Sequence, residues 1–379
     1  MYHIPYGKQL IEEDDINAVV EALKSPLITT GPKAKEFEEQ LACYTGAKYA
    51  VVVSNGTAAL HLTSLALLKE GDKVLTTPNS FLATSNTILY AKAKPVFVDI
   101  MSNGNIDLDL CEKALQQDST IKAIYAVAFS GNPVDQDKLA YLRNKYQIKV
   151  VEDCAHAIGS QFKGIKAGSC TNSDCTIFSF HPVKHMTTGE GGAITTNDEL
   201  IYKKLLLLRN HGMERMREVS PWYYEMNTLG FNYRITDFQC ALGMSQLAKL
   251  DANIARRHEI AKKYDEAFEN HPIIKPLYKF DGKSSYHLYV IQLNIDSMKI
   301  SKKEFFDLLI KKGIGTMVHY IPINKQPYYK SLGFGNEKIP VMDQYYEKTL
   351  SLPMYHSLND DEQRYIINVV NEILEKSNK

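Results

Sequence analysis

Charge of either sign is not in excess in this sequence, where 44 Lys and Arg stand against 44 Asp and Glu over 379 residues. That balance excludes a global field able to hold DNA or an anionic bilayer, and leaves room only for a local basic pocket. Arg256-Arg257 and the basic residues between Lys203 and Arg217 read as solvated helix faces or a local phosphate site, so no nucleic-acid partner is expected. Cysteine is sparse and scattered. Cys43, Cys111, Cys154, Cys170, Cys175 and Cys240 include no C-x-x-C pair, so they read as reduced packing residues and no metal is expected. No stretch is apolar for the length a bilayer needs, and Met1 to Asp15 lacks the basic and apolar regions of a signal peptide. The expectation is a cytoplasmic protein without membrane contact. Neither a G-x-G-x-x-G fingerprint nor a P-loop occurs, and Gly189–Gly192 leads into a strand-like run rather than a helix, which speaks against a dinucleotide-dependent oxidoreductase.

What is present is an ordinary globular composition, 44% hydrophobic and 23% charged, on a chain long enough for two unequal domains. Short β-branched runs at Tyr49–Val53, Lys73–Thr77, Pro95–Ile100, Ile121–Ala128, Ile148–Glu152, Cys175–Phe180 and Gly192–Thr196 alternate with helical segments. Most are apolar throughout, as strands buried on both faces should be. The fold class expected is therefore α/β, with a mainly parallel sheet flanked by helices on both faces. Before it, Gly7 to Thr45 reads as two helices around a Ser25–Pro32 loop. After it come helical patterns over Asp198–Asn210 and Asp237–Glu269. Strand-like Tyr286–Leu293, helical Lys302–Lys312, strand-like Thr316–Ile323 and a terminal helix near Asp360–Lys376 follow. The domain division expected is 1–250 for the large unit and 251–379 for a small α+β unit.

Chemistry concentrates at strand ends. Lys184 follows the Thr176–Phe180 run on an irregular, glycine-containing loop, where an amine can lose its proton beside a conjugated aldehyde. Most lysines are solvated surface groups, so position alone does not decide for it. Asp153 closes an apolar strand at the edge where open α/β sheets place ligands, and could keep a pyridine nitrogen protonated or simply cap a helix. His156 could rest on a ring face or pack. Val53-Ser-Asn-Gly-Thr-Ala-Ala-Leu60 supplies strand, turn and helix start, with Gly56 for close approach and Thr57 for a hydroxyl, the arrangement that suits a phosphate. Ser179 offers a second hydroxyl, and Phe81 a ring for stacking or an ordinary core position.

The order and spacing of six blocks decide between these readings. Ser54–Leu60, Glu152-Asp-Cys-Ala-His156, Phe178-Ser-Phe-His-Pro-Val-Lys184, Glu190-Gly-Gly192, Arg209-Asn-His-Gly212 and Gly230-Phe-Asn-Tyr-Arg234 resemble the DegT/DnrJ/EryC1/StrS sugar aminotransferases. The resemblance covers nearly the whole chain. It implies the fold of type I pyridoxal-phosphate transferases, with a seven-stranded mixed sheet, and pyridoxal 5'-phosphate held by Lys184 as a Schiff base. It further implies that Asp153 bonds the ring nitrogen, that His156 and Phe81 flank the ring, and that Gly56, Thr57 and Ser179 hold the phosphate. Asn232 is implied to reach the phosphate from a neighbouring subunit, making a homodimer with shared sites. The implied substrates are L-glutamate and a nucleotide-linked keto-sugar. Tyr6, Leu27-Ile-Thr29 and Met317-Val-His-Tyr320 resemble the sugar-nucleotide contacts of the branch that aminates C4 of UDP-2-acetamido-2,6-dideoxy-β-L-arabino-hex-4-ulose, toward pseudaminic acid. Family members that dehydrate sugars carry histidine in place of the lysine. A regulatory protein that keeps the cofactor without turnover would lack the complete set present here. Relatives often have Ser-Ala-Thr-Ser where Asn55-Gly-Thr-Ala58 stands, and a proline where His185 stands.

Overall fold

In the computed structural model, which describes residues 3–377, all seven strand-like runs ahead of Thr196 pair into one sheet. In chain order these are β1 (Tyr49–Val53), β2 (Lys73–Thr76), β3 (Lys94–Phe97), β4 (Ile121–Val127), β5 (Lys149–Asp153), β6 (Cys175–Ser179) and β7 (Gly192–Thr196). Their spatial order is β1-β7-β6-β5-β4-β2-β3, and only β7 runs against its neighbours. The free ends of β1, β4, β5 and β6 (Val53, Val127, Asp153 and Ser179) therefore lie along a single edge.

Both faces are covered, which explains why the middles of the strands are mostly apolar on both sides, without polar alternation. Val52, Ile124, Ala126, Val150 and Phe178 face one core with α2 (Pro32–Thr45) and its Phe37 and Leu41. Val51, Val53, Tyr125, Val151 and Ile177 face the other, against α3 (Gly56–Leu67) and α4 (Leu82–Tyr90). Because side chains alternate with a period of two, Asp153 shares a face with Val151, and Ser179 with Ile177. Both functional candidates thus point to the α3–α4 side at the carboxyl edge.

Two helices expected in the first forty-odd residues are present as α1 (Glu13–Lys24) and α2. The helical pattern over Asp237–Glu269 is two helices, Asp237–Ala248 and Leu250–Phe268, broken at Lys249. There the Lys249 ammonium turns back to Glu12, Asp14 and Asp15 at 2.8 to 3.0 Å, tying the amino-terminal helix to the end of the first of the two. The second contributes Leu250 and Ile254 to the sheet core, and Ile260, Tyr264 and Phe268 to a separate apolar cluster formed mainly by carboxyl-terminal residues. Ile4, far away in sequence, also packs into that cluster.

Two expectations need correction. Thr316–Ile323 is not a strand; it makes a single bridge, from Met317 to Ser351 of the strand Thr349–Leu352. Pro322 has no amide to donate, and residues 317–320 are drawn into a cavity instead of a ladder. Nor is Arg257 a solvated helix residue. Its side chain is fully buried, whereas neighbouring Arg256 pairs with Glu259 and Asp360 at the surface. Five of the six cysteines are buried and all are free, with Cys43 exposed. Among the described residues no helix is long and apolar enough to cross a membrane.

Candidate active site

A cavity of about 840 Å³ opens at the carboxyl edge of the sheet. Lys184, Asp153, His156, Gly56, Thr57, Ser179, Phe81, Tyr6, Met317, Val318, His319 and Tyr320 all line it. Leu27, Ile28, Thr29 and Asn232 do not. Leu27 and Ile28 are about half exposed, Thr29 bridges Thr236, and Asn232 is exposed and bridges Asn210.

The turn after β1 is built to leave donors free. Asn55 caps α3 by accepting the Ala58 amide at 2.8 Å. The first amides of a helix have no partner within it, so those of Gly56 and Thr57 remain available at the positive end of the helix dipole. Gly56 is required by proximity, since a Cβ there would lie 2.9 Å from that of Ser179. A Cβ on Gly192 would meet the Asn55 carbonyl at 2.6 Å, so β7 also presses its bare backbone against the turn. The Ser54 amide donates to the Tyr233 carbonyl at 2.9 Å, and the Tyr233 amide to the Arg209 carbonyl at 3.1 Å. Arg209 closes the loop with Glu38 at 2.5 Å and the Val52 carbonyl at 2.8 Å. The Arg209–Gly212 and Gly230–Arg234 blocks are thus the scaffold of the turn.

Asp153 is buried, and burial pushes its carboxyl above the usual range, opposed by the Thr84 hydroxyl, the Ala155 amide and the charge of Lys184. Thr84 donates to Oδ2 at 2.6 Å and the Ala155 amide to Oδ1 at 3.1 Å. A carboxylate so enclosed is stabilised by a cation brought to it, which is what a protonated pyridine nitrogen supplies. Buried His156 shares a hydrogen bond between Nε2 and the Tyr320 hydroxyl at 3.0 Å, its Nδ1 has no partner, and its imidazole is held neutral by burial and by Lys184. Phe81, more than half exposed, lines the same cavity with its ring centroid 6.3 Å from that of Tyr320.

Lys184 is half-buried, on a turn closed by its own amide bonding the His181 carbonyl at 2.9 Å. Desolvation lowers its ammonium to about 8, against the attraction of Asp153. Because the folded value lies below the ordinary 10.5, the unfolded chain binds the proton more tightly between about 8 and 10.5. Protein freed of cofactor should therefore gain stability as pH rises through that window, relative to a Lys184→Met variant. Acylation of the amine followed by peptide mapping should show a midpoint near 8; a midpoint at 10 or above would contradict the burial argument.

Several lining residues escaped the sequence reading. Thr84 lies three residues after Phe81, yet nothing local ties it to Asp153. Tyr90, Tyr233 and His287 come from a helix end, the Gly230–Arg234 block and a distant turn. His185, which departs from the family pattern, is buried and lies 3.0 Å through Nε2 from the Ser285 carbonyl, so it joins two parts of the chain.

The profile of the DegT/DnrJ/EryC1/StrS aminotransferase family matches residues 9–371. The chain belongs to this family. It is 43% identical over 378 residues to the UDP-4-amino-4,6-dideoxy-N-acetyl-beta-L-altrosamine transaminase of Campylobacter jejuni, covering 99% of each chain. Helicobacter pylori PseC, an aminotransferase of pseudaminic acid biosynthesis, superposes with a TM-score of 0.94 at 33% identity, over 99% of this chain and 100% of that one. The pyridoxal-phosphate form of a sugar aminotransferase from Streptococcus pneumoniae gives 0.89 at 32% identity, over 99% of each chain. This protein is accordingly a pyridoxal-phosphate-dependent sugar aminotransferase of fold type I.

Proposed function

We propose that the enzyme moves the amino group of L-glutamate to C4 of a UDP-linked 4-keto-6-deoxy sugar, UDP-2-acetamido-2,6-dideoxy-β-L-arabino-hex-4-ulose, on the way to pseudaminic acid. The observation that carries the catalytic part is the convergence of the Lys184 amine and the buried Asp153 carboxylate on one cavity. Full-length likeness to relatives bearing the altrosamine transaminase name supports the sugar.

When bound, pyridoxal phosphate supplies an electron sink that makes the donor's α-proton removable. Asp153 keeps the ring nitrogen protonated, while Thr84 and the Ala155 amide hold that carboxylate in place. Gly56, Thr57 and Ser179 hold the phosphate, and His156 and Phe81 flank the ring. Lys184 holds the cofactor, and when its amine is free it shuttles the donor's proton, a task suited to an ammonium that gives up its proton near neutrality. Tyr6, Leu27-Ile-Thr29 and Met317-Val-His-Tyr320 form the sugar-nucleotide contacts. Incubating the enzyme with L-glutamate and a panel of UDP- and dTDP-linked 4-keto and 3-keto sugars, with product stereochemistry by NMR, tests the reading. Amination of the named UDP-sugar at C4 is expected; turnover of dTDP sugars alone would overturn the sugar while leaving the reaction class.

Asn232 and the 27–29 loop stand outside the cavity of their own chain, as expected of residues that complete the site of a second copy in a homodimer. Co-expression of an inactive Lys184→Ala chain with an inactive Asn232→Asp chain tests the arrangement. The co-expressed pool should regain about a quarter of wild-type activity, because about half of its dimers are mixed and one of the two sites in each of these is intact only if Asn232 acts across the interface. No recovery in verified mixed dimers would place Asn232 in its own chain's site or outside any.

A further inference from the structure

Behind His156 lies a second imidazole that nothing above uses. His287 is 4% exposed, lines the cavity, and has its ring centroid 4.3 Å from that of His156 at 44°. His185 follows at 5.5 Å from His287. The Nδ1 atoms of all three rings are buried and meet no protein partner among the described residues. Buried polar atoms are ordinarily satisfied, so three orphans in one cluster call for an explanation beyond packing.

The backbone delivering His287 is stapled with unusual density. The Ser285 amide donates to the Gly131 carbonyl at 3.1 Å, the Ser285 hydroxyl to the His156 carbonyl at 3.3 Å, and the Leu288 amide to the Ser130 carbonyl at 3.3 Å. A Cβ at Gly131 would stand 2.7 Å from the Tyr286 amide nitrogen, so the two backbones touch. Tyr286 itself adopts φ 49°, a conformation seldom taken by a large side chain, and so turns the next residue inward. Beneath them Arg257, with no exposed surface, donates from Nη1 to the carbonyls of Tyr286, His287 and Met354 at 3.1, 3.3 and 3.0 Å. Its Nε and Nη2 bond nothing, and no carboxylate pairs with it among the described residues. A cation left so exposed electrostatically acts on the nearest titratable rings, and those are His185, His287 and His356.

We propose that His287 is a positioning residue for transamination: clamped by Arg257, it props the His156 ring at the tilt needed to back a planar cofactor and keeps water from the space beside Lys184. The inference rests on the roles assigned above to His156 and Lys184. His156 has one side-chain hydrogen bond, to Tyr320, which fixes one point of the ring and leaves its tilt to the neighbour it leans on. The groups facing this space are Lys184, Asp153, His156, His185, His319 and, from the helix behind, Arg257. All four histidines are held neutral by burial, with Lys184 adding to the effect, so proton traffic is left to Lys184.

The test uses full-length His287→Ala and His287→Gln enzymes beside wild type. In protein freed of cofactor, acylation of Lys184 should shift its midpoint upward by about one pH unit in the alanine variant, because admitted water restores the charged form. In the reloaded enzyme the visible circular dichroism of the cofactor should fall to about half or less, and kcat by about tenfold with KM for glutamate nearly unchanged. Glutamine, which fills most of the space, should return the labelling midpoint toward wild type. A wild-type midpoint and a wild-type dichroic band in both variants would overturn the proposal, whatever happens to thermal stability. If alanine does not fold, the glutamine variant alone decides through the ring tilt, which glutamine does not restore: a weakened dichroic band counts for the proposal, and an unchanged band with unchanged kcat counts against it. Wild-type protein that binds no coenzyme would instead refute the underlying reading of the site.

Discussion

Lys184→Ala enzyme, supplied with L-glutamate and keto-sugar, should release 2-oxoglutarate at a rate lower by on the order of 10⁴-fold or more. A positioned general base alone contributes about 10² to 10⁴, and the covalent hold on the coenzyme is lost with it. The same protein should be colourless after dialysis, while wild type keeps a visible band. Folding should survive, because among the described residues Lys184 makes no ion pair or side-chain hydrogen bond with the surrounding framework, and its turn is closed by main-chain atoms. Borohydride treatment of wild type followed by peptide mapping should place the label at Lys184. Turnover or absorbance retained in the variant would defeat the assignment outright.

Asp153→Asn should separate binding from chemistry. Asparagine has the same shape: its one side-chain oxygen can accept from the Ala155 amide while its NH2 donates to the Thr84 hydroxyl, whose own proton can turn to Ser80, so the variant should fold and take up coenzyme. What it lacks is the charge opposite the ring nitrogen. Removing one partner of a buried ion pair costs roughly 3 to 5 kcal/mol, and each 1.36 kcal/mol is about tenfold in rate. A fall in kcat of about 10² to 10⁴ is therefore expected, with the coenzyme still retained through Lys184. Added N-methylated pyridoxal phosphate carries a fixed positive ring nitrogen and should recover much of the loss. Equal activity of asparagine and aspartate enzymes would remove Asp153 from the ring nitrogen.

How far the sequence reveals this arrangement depends on how local each cause is. The sheet is legible because a strand buried on two faces is mostly apolar through its middle, and the runs at Val51–Val53 and Val150–Val151 say so directly. Asp153 and Ser179 could be placed at strand ends by period alone. Their convergence with Lys184 needed the ordered blocks, since each residue taken singly has an ordinary structural explanation. Thr316–Ile323 misled because a β-branched, aromatic segment looks the same whether it pairs or lines a cavity. Arg257 misled because a pair of arginines beside lysines on a helix suggests solvent, and only the distant carbonyls of Tyr286 and Met354 make its burial tolerable. Thr84 and His287 act through partners 69 and 131 positions away in the sequence, a span no local pattern encodes.

The link from Ser54 to the Tyr233 carbonyl also has a mechanical meaning. The residue before Tyr233 faces outward while Tyr233 itself is tethered at Ser54 to the cradle of helix-start amides, so any push on the outer segment crosses one peptide and one hydrogen bond and arrives two residues before those amides. Surface and cradle are two arms of one short lever.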